Sequence, residues 1–226
     1  MKSNQLHFII TAGGTREYID PVRFISNASS GKMGEALARA AVKAGHKVTF
    51  ITTVGNSKLK TVEVETADQM FKAVKKYFSK CDCLIMAAAV ADYTPVKKSK
   101  TKIKKLNRDL VIRLRPTVDI LEWAGKNKKK GQIVVGFALE DKDLRKNAEK
   151  KLKDKNLDMV IVNSPAAIGA ESSQVQIKTV NVSWIKMPTA GKTAIAARVI
   201  HLAENLVLKL GLKNIAFRQQ PGQMAK

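Results

Sequence analysis

The sequence predicts an α/β fold in one domain, a mostly parallel sheet with helices on both faces, and three features predict it. Short apolar runs such as Phe8-Ile9-Ile10, Leu84-Ile85-Met86 and Ile133 to Phe137 are continuous rather than alternating, as strands covered on both faces are. Between them lie stretches with apolar residues at helical spacing, of which Met70, Phe71, Val74 and Phe78 are the clearest. Length is the third feature: 226 residues with 45% hydrophobic content are enough for one sizeable core. The steady alternation of strand and helix gives the sheet a Rossmann-like character.

Leu6 to Thr11 is the first expected strand. Gly31 to Gly45 is a helix stopped by its terminal glycine, and Lys47 to Thr53 a second strand, which completes a βαβ unit. Val62 to Val64 is a short strand ahead of the helix Ala67 to Phe78, and Leu84 to Ala89 is the third main strand. Tyr93 to Arg108 is basic, contains Pro95 and lacks periodicity, so a mobile loop is expected there, followed by an edge strand over Leu110 to Leu114. A short helix over Asp119 to Gly125, a strand over Ile133 to Phe137, a helix over Leu144 to Leu152 and a strand over Asp158 to Val162 continue the rhythm. After Asn163 come a loop, alternating strands within Val175 to Trp184, and a final helix over Thr193 to Leu210. The domain therefore spans 1–210, and 211–226, ending in Pro, Gly and Gln, forms a basic, frayed tail.

Composition narrows the function. No run of about 18 apolar residues is present, so no membrane span is expected, and MKSNQLHFII begins a strand rather than a signal peptide, which makes the cytoplasm the expected compartment. Cys81 and Cys83 are separated by one residue and supply neither zinc spacing nor a disulfide framework; buried thiols are expected. His7, His46 and His201 lie in a strand, a turn and the last helix, with no nucleophile partner apparent, which disfavours a Ser or Cys hydrolase. The formal charge of +22 could serve nucleic acid. The lysines are dispersed, however, and aromatic content is 5%, so the stacking pattern of a polynucleotide binder is missing. Anion steering and a solvated basic surface are the better readings.

The chemistry concentrates after the first strand. Gly13-Gly14 lets the chain turn and approach a ligand closely, Arg16 and Arg23 add positive charge, and Asn27, Ser29 and Ser30 stand where a side-chain oxygen could cap the next helix. Free N–H groups at that helix start can face a phosphate. A nicotinamide-dependent reductase is the competing reading. Against it, TAGGTRE lacks the third glycine of the dinucleotide fingerprint, and the second strand ends in Thr52-Thr53 instead of an acidic ribose ligand. Ala87 to Ala89 leave room for a flat ligand at a strand's carboxyl end, or serve tight helix packing, and Asp92 could hold a ribose hydroxyl or a magnesium-bound water. Lys102 and Lys104 share one side of an extended segment, which makes KIKK either a solvated face or a strap over phosphates. Lys151 and Lys155 are one helical turn apart and share a face.

GGTRE-x-x-D-P-V-R-x-I-S-N-x-S-S-G-K-M-G resembles the opening of phosphopantothenoylcysteine synthetase, the coenzyme A pathway ligase often fused behind a flavin-dependent decarboxylase. AAAVADYTP at Ala87 to Pro95, KIKK at Lys102 to Lys105, VGFALE at Val135 to Glu140 and KNLDMVIVN at Lys155 to Asn163 are similar to later segments of that family, in the same order. The resemblance implies a two-step ligation of 4′-phosphopantothenate to L-cysteine with CTP, or ATP, and Mg²⁺, in a homodimer. It assigns Asn27 to the acyl-nucleotide and Arg23 to the phosphorylated acid. To the nucleotide it assigns Asp92, the lid residue Lys102, Phe137 against the base, and Lys151 and Lys155 at the phosphates; Gly13, Gly14 and Ala88 shape the same site. No flavin is expected on this chain, so the decarboxylase would be a separate one. Two departures stand out. Arg115-Pro116-Thr117-Val118-Asp119 displaces the proline of the usual lysine-x-Pro-Asp arrangement, and VGFALED replaces the commoner alanine-glutamate-threonine ending. Metal ligands are not identifiable from these motifs.

Overall fold

The computed structural model describes residues 5–55, 57–105, 107–164, 170–180 and 182–218, with the backbone alone for 211–218. Strand β1 (His7–Ala12) is the pivot of an eight-stranded sheet. The short hairpin β2 (Arg16–Tyr18) and β3 (Phe24–Ser26) follows it, then helix α1 (Lys32–Lys43) and strand β4 (Lys47–Thr52), which pairs with β1 in parallel. Strand β5 (Thr61–Glu63) lies beyond β4, and helix α2 (Ala67–Phe78) carries the chain back across the sheet to β6 (Cys83–Met86), on the other side of β1. The ribbon β7 (Tyr93–Pro95) and β8 (Leu114–Pro116) and helix α3 (Ile120–Asn127) precede β9 (Ile133–Leu139). Helix α4 (Leu144–Asp154) and β10 (Met159–Asn163) complete the parallel set. Strand β11 (Ser172–Ser173), antiparallel β12 (Gln176–Thr179) and β13 (Val182–Lys186), β14 (Ala190–Gly191) and helix α5 (Lys192–Arg218) finish the chain.

The period of two along each strand sorts its side chains into two buried layers. Phe8, Ile10, Ile133, Val135, Met159 and Ile161 pack under α1 and α5, whose Leu37, Ala41, Ile195 and Val199 meet them. Ile9, Leu84 and Val134 face the opposite way, onto Met70, Val74 and Phe78 of α2 and Ile120 of α3. Val160 and Val162 face Ala148 of α4 on that same side. Local signals hold the helices in place. A capping box closes the start of α2, with Thr66 Oγ1 accepting from Gln69 N and Gln69 Oε1 accepting from Thr66 N. Helix α1 lies so close to β1 that a Cβ on Gly34 would sit 2.4 Å from Ala12 Cβ and 2.8 Å from Thr11 O. Only glycine allows that approach, which presses the start of α1 against the carboxyl end of the first strand.

Several expectations are corrected. The long polar insert after β1 is not loop throughout, because Arg16–Tyr18 and Phe24–Ser26 pair as a hairpin. The edge strand expected over Leu110 to Leu114 is displaced: of that run only Leu114 pairs, in Leu114–Pro116, because Tyr93–Pro95 offers its backbone there. Leu110 and Val111 are instead 56% and 84% exposed. Tyr93 to Arg108 is likewise not plain loop: it opens with β7, and its Ser99 N donates to Ile19 O at 2.9 Å. Strand β6 stops at Met86, short of Ala89. The last helix does not stop at Leu210 but runs through Gly211 to Arg218, since one glycine inside a helix costs only about 1 kcal/mol. Residues 1–4 and 219–226, the latter half of the expected tail, lie outside the described residues. Among the described residues no helix is long and apolar enough to cross a membrane.

Both cysteines are buried and unbridged. Burial pushes the Cys81 thiol up to about 12, against the lowering effect of the Gln132 amide, and holds Cys83 well above its usual value. A thiol reacts as its thiolate, so at pH 8 an Ellman titration of the native protein is expected to find neither group, and both after unfolding in guanidinium. Rapid reaction in the native state would contradict the burial described here.

Candidate active site

Strand β1 is flanked by β4 and β6, so the chain leaves the sheet's centre in both directions, and the connections part at the carboxyl ends of these strands. A cavity of about 840 Å³ opens there. Its floor is the segment after β6, Ala87 to Val90, whose small side chains leave the volume open. That segment is laced to the turn after β1: Ala88 N donates to Thr11 Oγ1 at 3.1 Å, Ala89 N to Gly13 O at 2.8 Å and Ala91 N to Thr15 Oγ1 at 2.9 Å. A backbone bridge joins Gly14 to Ala89. Gly13 and Gly14 thus brace the floor from beneath and are absent from the cavity lining, whereas Ala88 lines it.

One wall is the start of α1. Its first residue outside the helix is Gly31, at φ 72°, and no side chain caps it. The expectation that Asn27, Ser29 or Ser30 would do so is corrected. Asn27 Nδ2 donates to Val90 O at 3.0 Å, and Ser29 Oγ accepts from Gly31 N at 3.4 Å, before the helix begins. The first intrahelical bond runs from Glu35 N to Gly31 O, so the N–H groups of Lys32, Met33 and Gly34 have no acceptor within the helix, and these three residues line the cavity. Such an end attracts anions.

The other wall lies over the opposite face of the sheet, where α3 and α4 meet. Asp119 begins α3, its Oδ1 accepting from Glu122 N at 2.9 Å, and its Oδ2 accepts from Lys155 Nζ at 2.5 Å. Burial, the largest single influence, raises that carboxyl, but the Lys155 hydrogen bond, the Glu122 N–H and the charges of Lys155 and Lys151 together outweigh it and hold Asp119 below its ordinary value. Lys151 Nζ donates to Phe137 O at 2.8 Å. Burial, and then the like charge of Lys155, lower its pKa. The backbone makes this corner: a Cβ on Gly125 would stand 1.8 Å from Lys155 O, and Asn156, at φ 50°, donates from Nδ2 to Gly125 O at 2.8 Å.

Of the residues singled out in the sequence, Asn27, Ala88, Asp92, Phe137, Lys151 and Lys155 line this one cavity. Arg23 and Lys102 do not. Arg23 donates from Nε and Nη2 to Asp20 Oδ2, at 2.9 and 2.5 Å, and from Nη2 to Ile103 O at 2.7 Å. Asp20 Oδ2 also accepts from Ile103 N at 3.1 Å. The basic strap is therefore pinned beside Lys102, which itself is exposed. Sequence reasoning missed Asp119, Asn163 and Lys192, all of which line the cavity. For Asp119 the signal was available, an N-cap residue type just before a helix; for Asn163 it was a polar residue closing an apolar strand. Nothing local distinguishes Lys192.

The family model described as the DNA/pantothenate metabolism flavoprotein C-terminal domain matches residues 3–206. A cysteine/cysteine sulfinic acid decarboxylase from an unknown prokaryotic organism is 45% identical over 202 residues, 84% of this chain and 56% of that protein. The coenzyme A biosynthesis bifunctional protein CoaBC of Bacillus subtilis (strain 168) is 46% identical over 169 residues, 73% of this chain and 41% of that protein. The chain thus spans about half the length of the curated relatives it matches. Among solved structures, the C-terminal domain of a CoaBC protein is similar with a TM-score of 0.78 and 36% identity, covering 90% of this chain and 96% of that one.

Two tests follow from the geometry. Buried Asp20 is held well below the usual carboxylate range, chiefly by the Arg23 side chain and against the cost of desolvation. A depressed carboxylate contributes stability that is present above its unfolded value of about 4 and lost only as pH falls through the lower folded value. Hydrogen exchange at Ile103 N–H is therefore expected to stay slow at pH 4 in the wild type and to be fast in Asp20→Asn, and equal exchange in both would remove the proposed anchor. Gly125→Ala forces a backbone atom aside, at a cost of about 1–3 kcal/mol. Its denaturant midpoint should fall accordingly, and an unchanged midpoint would mean that α3 and α4 are not in contact here.

Proposed function

The chain belongs to the DNA/pantothenate metabolism flavoprotein C-terminal domain family, and from that premise we propose that it is a phosphopantothenate–cysteine ligase that works through an acyl-nucleotide. The observation that carries the reading is the single cavity at the switch point of the sheet. An uncapped helix start forms one wall, two lysines the other, and a backbone-anchored amide, Asn27, stands at the floor. Two anionic substrates can meet there with no proton-transfer apparatus.

A carboxylate oxygen of 4′-phosphopantothenate attacks the α-phosphorus of the nucleoside triphosphate. The bond from that phosphorus to the bridging oxygen breaks, giving the acyl-nucleotide and pyrophosphate. The amine of cysteine then attacks the acyl carbon, the nucleoside monophosphate departs, and the nitrogen's proton passes to that departing phosphate or to water as the amide forms. Neither attack on phosphorus nor loss of pyrophosphate requires a base, so charge neutralisation and alignment dominate. Lys151 and Lys155 serve the nucleotide phosphates; Asp119 neutralises Lys155 until a phosphate replaces it. Phe137 packs against the base, in the space left by Ala88, and CTP is favoured over ATP. Asp92, exposed at the cavity wall, takes a ribose hydroxyl or stands beside the metal. Lys102 reaches the phosphates from the strap, and Arg23 acts by anchoring it.

Mg²⁺ fits this donor set as a nucleotide-borne ion. Among the described residues no group of three His, Cys, Asp or Glu side chains could hold it alone, and Mg²⁺ ordinarily binds through one or two carboxylates and substrate phosphates. Asp92 is the carboxylate for that role, and the ion would supply charge neutralisation at the phosphates. Two copies of the chain are proposed to associate through the hairpin and the β7–β8 ribbon, where Phe24, Tyr93, Val96 and Leu114 are exposed. The excess positive charge draws both anionic substrates toward the cavity.

The purified protein, given 4′-phosphopantothenate, Mg²⁺ and CTP, is expected to release pyrophosphate and, with cysteine added, CMP and the amide. Asn27→Ala should lower the rate of amide formation about 100-fold or more, with the acyl-nucleotide accumulating. If neither CTP nor ATP is consumed, the reading is wrong.

A further inference from the structure

Glu17, the middle residue of β2, is charged and yet only 4% exposed. The period of two along that strand leaves Arg16 outside and turns Glu17 inward. There its Oε1 accepts from Ala67 N, the first N–H of α2, at 2.8 Å. The capping box of α2 joins Thr66 and Gln69 and does not reach Ala67 N, so the hairpin supplies an acceptor that the helix's own cap does not. Taking a carboxylate out of water costs free energy, and the positive end of a helix offsets that cost. Next to this contact Arg16 N donates to Glu65 O at 2.8 Å. The chain enters the hairpin from Thr15, whose N–H donates to Ala89 O and whose Oγ1 accepts from Ala91 N. Glu17 is therefore an attachment to the α2 layer, separate from the bonds that brace the cavity floor.

We propose that Glu17 is a positioning residue for the ligation, holding the hairpin on the start of α2 so that Asn27 and the strap stand where the reaction needs them. The proposal rests on the ligase reading. Glu17 is not among the residues that line the cavity, and it acts through what the hairpin carries. Asn27 follows β3 directly, and Ser26 before it is paired with Arg16. At the other end the turn of the hairpin takes the strap, with Ser99 N donating to Ile19 O at 2.9 Å and Ile103 N to Asp20 Oδ2 at 3.1 Å. The ladder between these two ends consists of Arg16, Glu17 and Tyr18 opposite Ser26, Ile25 and Phe24. A two-stranded hairpin is marginal by itself in water, so its place must be fixed from outside, and Glu17 sits in the middle pair. One carboxylate thereby sets the amide at the cavity floor and the strap beside Lys102 together.

The test compares Glu17→Ala, Glu17→Gln and Thr66→Ala in the full chain. Thr66→Ala removes a cap from the same helix end without touching the hairpin, so it measures what weakening α2 alone does. With 4′-phosphopantothenate, Mg²⁺, CTP and cysteine saturating, Glu17→Ala should lower kcat for amide formation about 10- to 100-fold. Glu17→Gln, whose amide oxygen can still accept from Ala67 N, should restore most of that loss. Thr66→Ala should keep the wild-type kcat although its melting temperature falls. Separately from turnover, hydrogen exchange at Ser99 N–H and Ile103 N–H should quicken in Glu17→Ala and stay slow in Thr66→Ala. A wild-type kcat in Glu17→Ala, or an equal loss in Thr66→Ala, overturns the assignment. Unchanged exchange in Glu17→Ala overturns it whatever the activity. A wild type that forms no product fails the ligase reading instead, and the exchange comparison still decides whether Glu17 holds the hairpin. Should Glu17→Ala not fold, Glu17→Asp, which draws the carboxylate back by one methylene, is read against the same outcomes.

Discussion

A parallel sheet that grows in both directions from its first strand must send its connections to opposite faces, and the gap this leaves beyond the carboxyl ends of β1 and β6 is the constraint on which the site depends. The tight seat of Gly34 on β1 brings α1 to the edge of that gap, and the hydrogen bonds between Thr11, Gly13, Thr15 and Ala88 to Ala91 keep its floor flat. The same strands, through their alternate side chains, separate the two buried layers. The cavity consequently has walls of different origin, one from the α1 and α5 layer and one from the α3 and α4 layer.

Electrostatics within the cavity is arranged before any ligand arrives. Lys155 is paired with Asp119, Lys151 leans on the Phe137 carbonyl with its charged form disfavoured by burial, and Lys32 is paired with Glu171. Lys192 Nζ alone among these four ammonium groups has no hydrogen-bond partner among the described residues, though Glu171 feels its charge. A basic chain can pack lysines side by side in this way only because carboxylates and carbonyls are interleaved with them, and each of those partners is a group that an incoming phosphate can replace.

The parallel strands and the helices over them were legible in the sequence because continuous apolar runs and helical spacing are local. Hydrophobic periodicity located α2 to the residue, and the alternation of strand and helix gave the layer order. The misplaced strand at Leu110 shows the limit: an apolar run there has no neighbouring backbone to pair with, while the less apolar Leu114–Pro116 has β7. Pairing partners are not a local property. The hairpin at Arg16–Tyr18 was hidden for the same reason. Within the site, Asn27, Asp92, Phe137, Lys151 and Lys155 drew attention through motifs, and the cavity gathers them. Arg23 was drawn out by the same motif, and its guanidinium lies on Asp20 and the strap, contacts that no local pattern announces. Lys192 carried no signal, being separated in sequence from everything it faces.

The corner where α3 meets α4 is fastened at three points: the Gly125 surface lies flat against the Lys155 carbonyl, Asn156 grips the Gly125 carbonyl, and the Lys155 ammonium reaches the residue that begins α3. A joint fastened three times keeps its place when any one contact is lost. Whatever draws Lys155 toward the cavity must either break its hold on Asp119 alone, leaving the two carbonyl contacts as a fulcrum, or turn both helix ends as one piece. Only in the second case would the movement of that one side chain be carried along both helices.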